Sequence, residues 1–160
     1  MPTNVKPVPE GFHTITPHLV IRGAAEAFVF YQKAFGAVAG QIHYMPGGKT
    51  VMHADLKIGD STIFLNDEFP EMQALSPLAR GGSSVTLHLY VENADAVYQR
   101  AVDAGCQVTF PLADQFWGDR YGVVRDPFGH NWSIGSRIAE PTEPEVEAAA
   151  NKVMAESAKR

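Results

Sequence analysis

The order strand, helix, strand, strand, strand is written twice along this chain, at a constant spacing of 70 residues. Over positions 16–65 against 86–135, eight residues coincide, among them Thr16/Thr86, His18/His88, Leu19/Leu89 and Gly59/Gly129. Ordinary residue frequencies would give roughly three. The matched order of elements and turns weighs more than the identities, because a unit repeated at one spacing dictates the architecture. The reading is an α+β chain of two tandem βαβββ modules.

In the first copy, TITPHLVI (14–21) alternates as a strand, with Ile15, Pro17, Leu19 and Ile21 on one face and Thr14, Thr16, His18 and Val20 on the other. Pro17 cannot donate to a ladder, so one side of this strand is free there or bulged. AAEAFVFYQKAF (24–35) has apolar residues at helical spacing and ends at Gly36. Strands are expected near 38–44, 50–58 and 61–66, with turns at Pro46-Gly47-Gly48 and Gly59-Asp60. The second copy has a strand over Ser84 to Val91, Asn93 as helix N-cap, a helix from Ala94 to Ala104, and strands near 107–110, 120–125 and 131–137. Asp126-Pro127-Phe128-Gly129 makes the last turn.

The expected divisions are an extended proline-rich arm (1–11), module one (12–66), a linker or lid (67–83), module two (84–138) and a C-terminal helix (139–160) opened by a Thr142/Glu145 capping box. Among the 160 residues, 18 Asp and Glu outnumber 13 Lys and Arg, an acidic balance that argues against a nucleic-acid partner. No apolar run reaches the ~20 residues of a membrane span. The opening MPTNVKPVPEG has no signal-peptide core, and Cys106 is the one cysteine, so a cytoplasmic location is expected.

A crossover helix covers one face of each module's sheet, and that face must be apolar. Ile15, Leu19, Ile21, Val85, Leu87, Leu89, Val91, Met52, Ala54, Leu56, Ile58, Trp132 and Ile134 are expected beneath helices. The bare face then receives Thr16, His18, His53, Asp55, Lys57, Thr86, His88, Tyr90 and Ser133, and if the modules curl it inward it lines a binding cavity.

AAEAFVFYQKAFGA, HADLKIGDSTIFLNDEFP, SVTLHLYVENADAVYQRAVDAG and QFWGDRYGVVRDPFGHNWSI resemble the vicinal oxygen chelate superfamily. That superfamily includes glyoxalase I, bleomycin-resistance proteins, fosfomycin-resistance enzymes and extradiol dioxygenases. The pattern is most similar to the small bacterial PhnB-like proteins, which share FWGDR and DPFGHxW. The resemblance implies a U-shaped mixed sheet around a cavity, helices on its outer face, usually in a homodimer. In the metal enzymes it also implies a divalent ion chelating substrate oxygens.

By that resemblance the four ligand positions fall at Thr16, Ile63, Thr86 and Ser133, where the metal enzymes carry His or Glu. An isoleucine offers no donor and an unactivated hydroxyl is a weak one, so the usual metal site is expected to be absent and no cofactor is required. A displaced site for zinc, iron, manganese or nickel would need His18, His53 and His88, with Asp55 as a possible carboxylate, to converge within ~2–2.2 Å of one point. Phe116, Trp117, Asp119, Arg120 and Tyr121 form a cluster that either stacks on a planar ligand and pairs Arg120 with an anion, or packs a turn. His130 reads as structural, Cys106 as inert, and Asp67 and Glu68 as solvated or reaching a partner.

The expected function is capture of a small organic ligand, aromatic or anionic, by a homodimer without the usual metal. The binding set is His18, His53, Thr86, His88, Trp117, Arg120 and Ser133. The rival is a metal-dependent lyase, isomerase or dioxygenase with the displaced site.

Overall fold

Two four-stranded mixed sheets carry the chain, as seen in a computed structural model that describes residues 5–158. The first holds β1 (His18–Ile21), β2 (Val38–Tyr44), β3 (Val51–Ile58) and β4 (Ser61–Asp67) in the order β1-β4-β3-β2. The second holds β5 (Thr86–Tyr90), β6 (Gln107–Asp114), β7 (Asp119–Arg125) and β8 (Asn131–Arg137) in the order β5-β8-β7-β6. The β1/β4 and β5/β8 pairs are parallel and the rest antiparallel, the pattern of two βαβββ units. Helices α1 (Ala24–Phe35) and α3 (Ala94–Ala104) make the crossovers and pack on one another.

Local chemistry sets the helix ends. Gly36 sits at φ 65°, a left-handed conformation that costs glycine little, and its N–H closes α1 onto the Tyr31 carbonyl. Asn93 caps α3 by accepting from Ala96 N. The start of α1 is served from afar: Asp67 accepts from Gly23 N and Ala24 N through Oδ1 and from Val51 N through Oδ2. Asp67 is therefore a helix cap and strand clamp, not the solvated residue its position suggested.

Four strand expectations are corrected. The first strand begins at His18, because Pro17 can offer only its carbonyl, which accepts from Phe64 N; upstream, Ile15 is 83% exposed. Its counterpart Val85 lies outside β5 and is 60% exposed. In β3 the alternation slips: His43 faces His53 but Tyr44 faces Val51, so Met52 bulges out to solvent and Val51 takes the inner place beside Ala54 and Leu56. β6 runs to Asp114, past Pro111, because it is an edge strand with shifted register where a proline is tolerated.

The linker is partly ordered, with a 3-10 turn at Pro70–Met72 and the short helix α2 (Pro77–Arg80). Glu68 fixes it, one oxygen accepting from Ser76 N and Oγ and the other from Arg22 Nε at 2.8 Å. These bonds hold the Glu68 carboxyl at about 2, so Glu68 is not simply solvated as expected. The C-terminal helix α4 (Glu143–Ser157) opens with the anticipated capping box. Expectations for residues 1–4 of the arm and 159–160 lie outside the described residues. Among the described residues no helix is long and apolar enough to cross a membrane.

The modules meet in an aromatic core. Phe35 of α1 lies 4.4 Å from Trp132 of β8, and Tyr31 lies 5.2 Å from it, ring centre to ring centre. At the centre is Asp126, 3% exposed, whose Oδ2 accepts from Tyr31 Oη (2.7 Å) and Trp132 Nε1 (2.8 Å). Its Oδ1 accepts from Phe128 N and His130 N, both at 2.9 Å. Removing one neutral donor costs about 1–2 kcal/mol, while removing the shared acceptor orphans several buried donors. We expect Tyr31→Phe to lower the urea unfolding free energy by about 1–2 kcal/mol and Asp126→Ala by about 3 kcal/mol or more.

Candidate functional site

The bare faces of the sheets carry most of the polar residues expected there, in two groups. On sheet one His18 stands edge-on to His53 (6.3 Å) and to Phe64 (5.7 Å), and His43 stacks near His53 at 6.5 Å. On sheet two His88 lies edge-on to Tyr90 (4.4 Å) and stacked on Tyr121 (5.9 Å). Its Nδ1 is 2.7 Å from Ser133 Oγ, which fixes the ring and leaves Nε2 for another partner. Burial holds His88 below its ordinary 6.5, opposed by the Asp119 charge, and so favours the neutral ring at pH 7.

A buried carboxylate supports this second group. Asp119, 4% exposed, accepts from Tyr90 Oη and Trp117 Nε1, each at 3.2 Å, and its other oxygen lies 3.1 Å from Arg137 Nε. Trp117 is thereby oriented against Tyr121 and Phe116. Arg120 is turned the other way. Successive strand residues alternate faces, so with Asp119 and Tyr121 on the bare side Arg120 points to α3. There it pairs with Asp95 through two nitrogens (2.6 and 2.7 Å) and with Asp114 (2.9 Å), which raises its pKa further. Its guanidinium is occupied by carboxylates of its own chain, apart from His88.

The structure therefore brings His88, Ser133 and Trp117 into one group and His18 and His53 into another. Thr86 is exposed on β5, where it borders a cavity of about 620 Å³ together with His88, Tyr90, Arg100 and Trp132. A smaller cavity of about 390 Å³ takes in His18. Neither cavity holds both histidines, so within one chain the imidazoles do not gather at one point. Sequence reasoning missed Asp119 and Tyr121 as members of the His88 group. Strand alternation counted from Asp119 would have found both and set Arg120 aside.

The register refines the metal comparison. His88 faces Ser133, but His18 faces Phe64, so the 70-residue spacing falls one short between β4 and β8. The counterpart of Ser133 is Phe64, not Ile63, whose side chain is buried with the core. Thr16, Phe64, Thr86 and Ser133 supply no imidazole, thiolate or carboxylate, so this donor set does not fit a divalent ion. Among the described residues no three His, Cys, Asp or Glu side chains are grouped to hold a metal ion, the trio of His18, His53 and His88 included. Cys106 is buried and its thiol pushed up to about 12, so it carries little thiolate.

The fold is a duplicated βαβββ scaffold, and comparison places it in a family. The chain belongs to the glyoxalase/bleomycin resistance protein/dioxygenase superfamily, whose model matches residues 11–134. It is 46% identical over 154 residues to an uncharacterized protein of Mycobacterium tuberculosis, covering 93% of this chain and 85% of the relative. An uncharacterized protein of Arabidopsis thaliana is 30% identical over 119 residues, 70% of each chain. The X-ray structure of that plant protein superposes with TM-score 0.62 at 28% identity, covering 77% of this chain and 98% of the other. A PhnB protein from Bacillus cereus shares the fold at TM-score 0.56 and 21% identity, over 78% and 99% of the two chains.

A histidine whose folded-state pKa is depressed adds stability fully present above its unfolded value and lost as pH falls through the folded one. His88 should therefore titrate below 6.5 by NMR of its ring protons, and Asp119→Asn should move it lower still by removing the opposing charge. An unchanged midpoint in Asp119→Asn would contradict the coupling.

Proposed function

We propose that this protein captures a small, planar organic molecule on the bare sheet faces without the metal of its catalytic relatives. The observation that carries the reading is the His88 group: a neutral, oriented imidazole with a free nitrogen, walled by Tyr90, Tyr121 and Trp117. Aromatic walls stack on a flat ligand and contribute roughly 0.5–1.5 kcal/mol each beyond area burial. The imidazole supplies one directed hydrogen bond. His18 and His53, the equivalent pair on sheet one, supply the opposite wall when a second copy brings a first sheet against a second.

A homodimer of this kind accounts for the large apolar side chains left bare beside the free edges of β1 and β5, namely Ile15, Val85 and Tyr90. Symmetric pairing is the commonest way such surfaces are covered. Sedimentation velocity on the wild-type protein should give twice the 17.4 kDa chain mass, and Val85→Asp should give the single-chain mass. A wild-type monomer would remove the second wall.

Trp132 is buried, so quenching of the tryptophan signal reads Trp117. Titration with 2-naphthol in the presence of a chelator should quench it with a micromolar-range midpoint. The combined variant His18→Ala, His88→Ala, Trp117→Ala, followed by calorimetry, should bind at least about tenfold more weakly. Elemental analysis of protein purified without a metal-binding tag should show far less than one equivalent of zinc, iron, manganese or nickel. Near-stoichiometric metal, or binding retained by the combined variant, would overturn the reading.

A further inference from the structure

We propose a second ligand site, in the cavity between β1 and the linker strap, that takes a small carboxylate with an apolar body. The cavity measures about 390 Å³, at the lower end of ligand pockets, which suits a compact molecule. Leu19, Leu75, Pro77 and Leu87 give it an apolar wall, and Arg80 stands at its rim.

Its electrostatics run against the chain as a whole. The protein carries a net charge of −5, yet no Asp or Glu lines this cavity, while Arg80 does. Arg22, Arg120 and Arg137 each have a carboxylate partner, while Arg100 and Arg125 donate to the Ala34 carbonyl and to Asn131 Oδ1. Arg80 has no carboxylate partner among the described residues and makes only a 3.3 Å bond to the Gln73 carbonyl. A guanidinium beside an apolar hollow, with its fork unfilled by carboxylate, is the arrangement that recognises a carboxylate. His130 also borders the hollow, but burial keeps its ring below its ordinary pKa against Asp126 and a bond to the Val20 backbone, so the anion is left to Arg80.

The wall is built rather than loose. Glu68 pins Ser76 by two bonds, and buried Pro77 sits on Gly129 so closely that a Cβ there would come within 3.0 Å of it. The cavity is therefore formed before any ligand arrives, which spares the ordering cost of binding. It shares His18 with the sheet-face site and Val85 with the proposed dimer seam, while His88 and Trp117 lie outside it, so the two sites can be tested apart through that pair.

Calorimetric titration of the full chain with 4-phenylbutyrate and with its uncharged amide tests the assignment. The acid should bind with a midpoint below about 1 mM and the amide at least about tenfold more weakly. Arg80→Gln, an exposed change, should reduce the acid to the level of the amide. Leu75→Trp, which fills the hollow, should abolish binding of both while its thermal midpoint stays near that of wild type. His88→Ala with Trp117→Ala should leave the acid bound within about twofold, whatever becomes of 2-naphthol. Equal binding of acid and amide, an unaffected Arg80→Gln, loss of the acid in the His88/Trp117 variant, or no heat from wild type at about 10 mM would each overturn the proposal.

Discussion

The buried carboxylate of Asp126 is the constraint on which the rest of the molecule depends. It accepts four bonds, two from side chains of different modules and two from the turn that contains it. A carboxyl group is tolerable in an interior only when its hydrogen-bonding capacity is filled, and here every donor is supplied by a residue whose place is otherwise fixed. Tyr31 and Trp132 thereby hold α1 against β8, the 126–130 turn is closed, and the relative placement of the two sheets follows. The free edges of β1 and β5, and the cavities beside them, inherit their positions from this junction.

From there each sheet expresses the same design with different chemistry. His18, His53 and Phe64 occupy on sheet one the places of His88, Tyr121 and Ser133 on sheet two. In the first group a phenylalanine stands edge-on to both imidazoles; the second has a hydroxyl that orients one and a carboxylate that orients the neighbouring indole. Duplication explains why the places match, and the substitutions explain why only His88 is oriented by a hydroxyl from the strand beside it.

Much of this was legible in the residues. Helix periodicity with Gly36 and Asn93 fixed α1 and α3, and strand alternation put His18, His53, His88 and Ser133 on bare faces. What escaped were long-range effects. Nothing local announces that Asp67 will cap a helix more than forty residues upstream, or that the ladder against Tyr44 will expel Met52. Arg120 misled because a motif read as a cluster hides the alternation within it. The metal correspondence slipped by one residue for a related reason: Gly59 and Gly129 align in sequence but close turns of different length, and pairing, not spacing, decides which side chains are equivalent.

The unpaired borders of β1 and β5 have a consequence for colloidal behaviour. Exposed rungs of a sheet invite foreign strands to add, the first step towards fibrils. Here the borders are four and five residues long, one begins beside a proline and the other follows two glycines and two serines. So brief a template, flanked by residues that resist extension, offers a stacking chain few bonds before it must bend away.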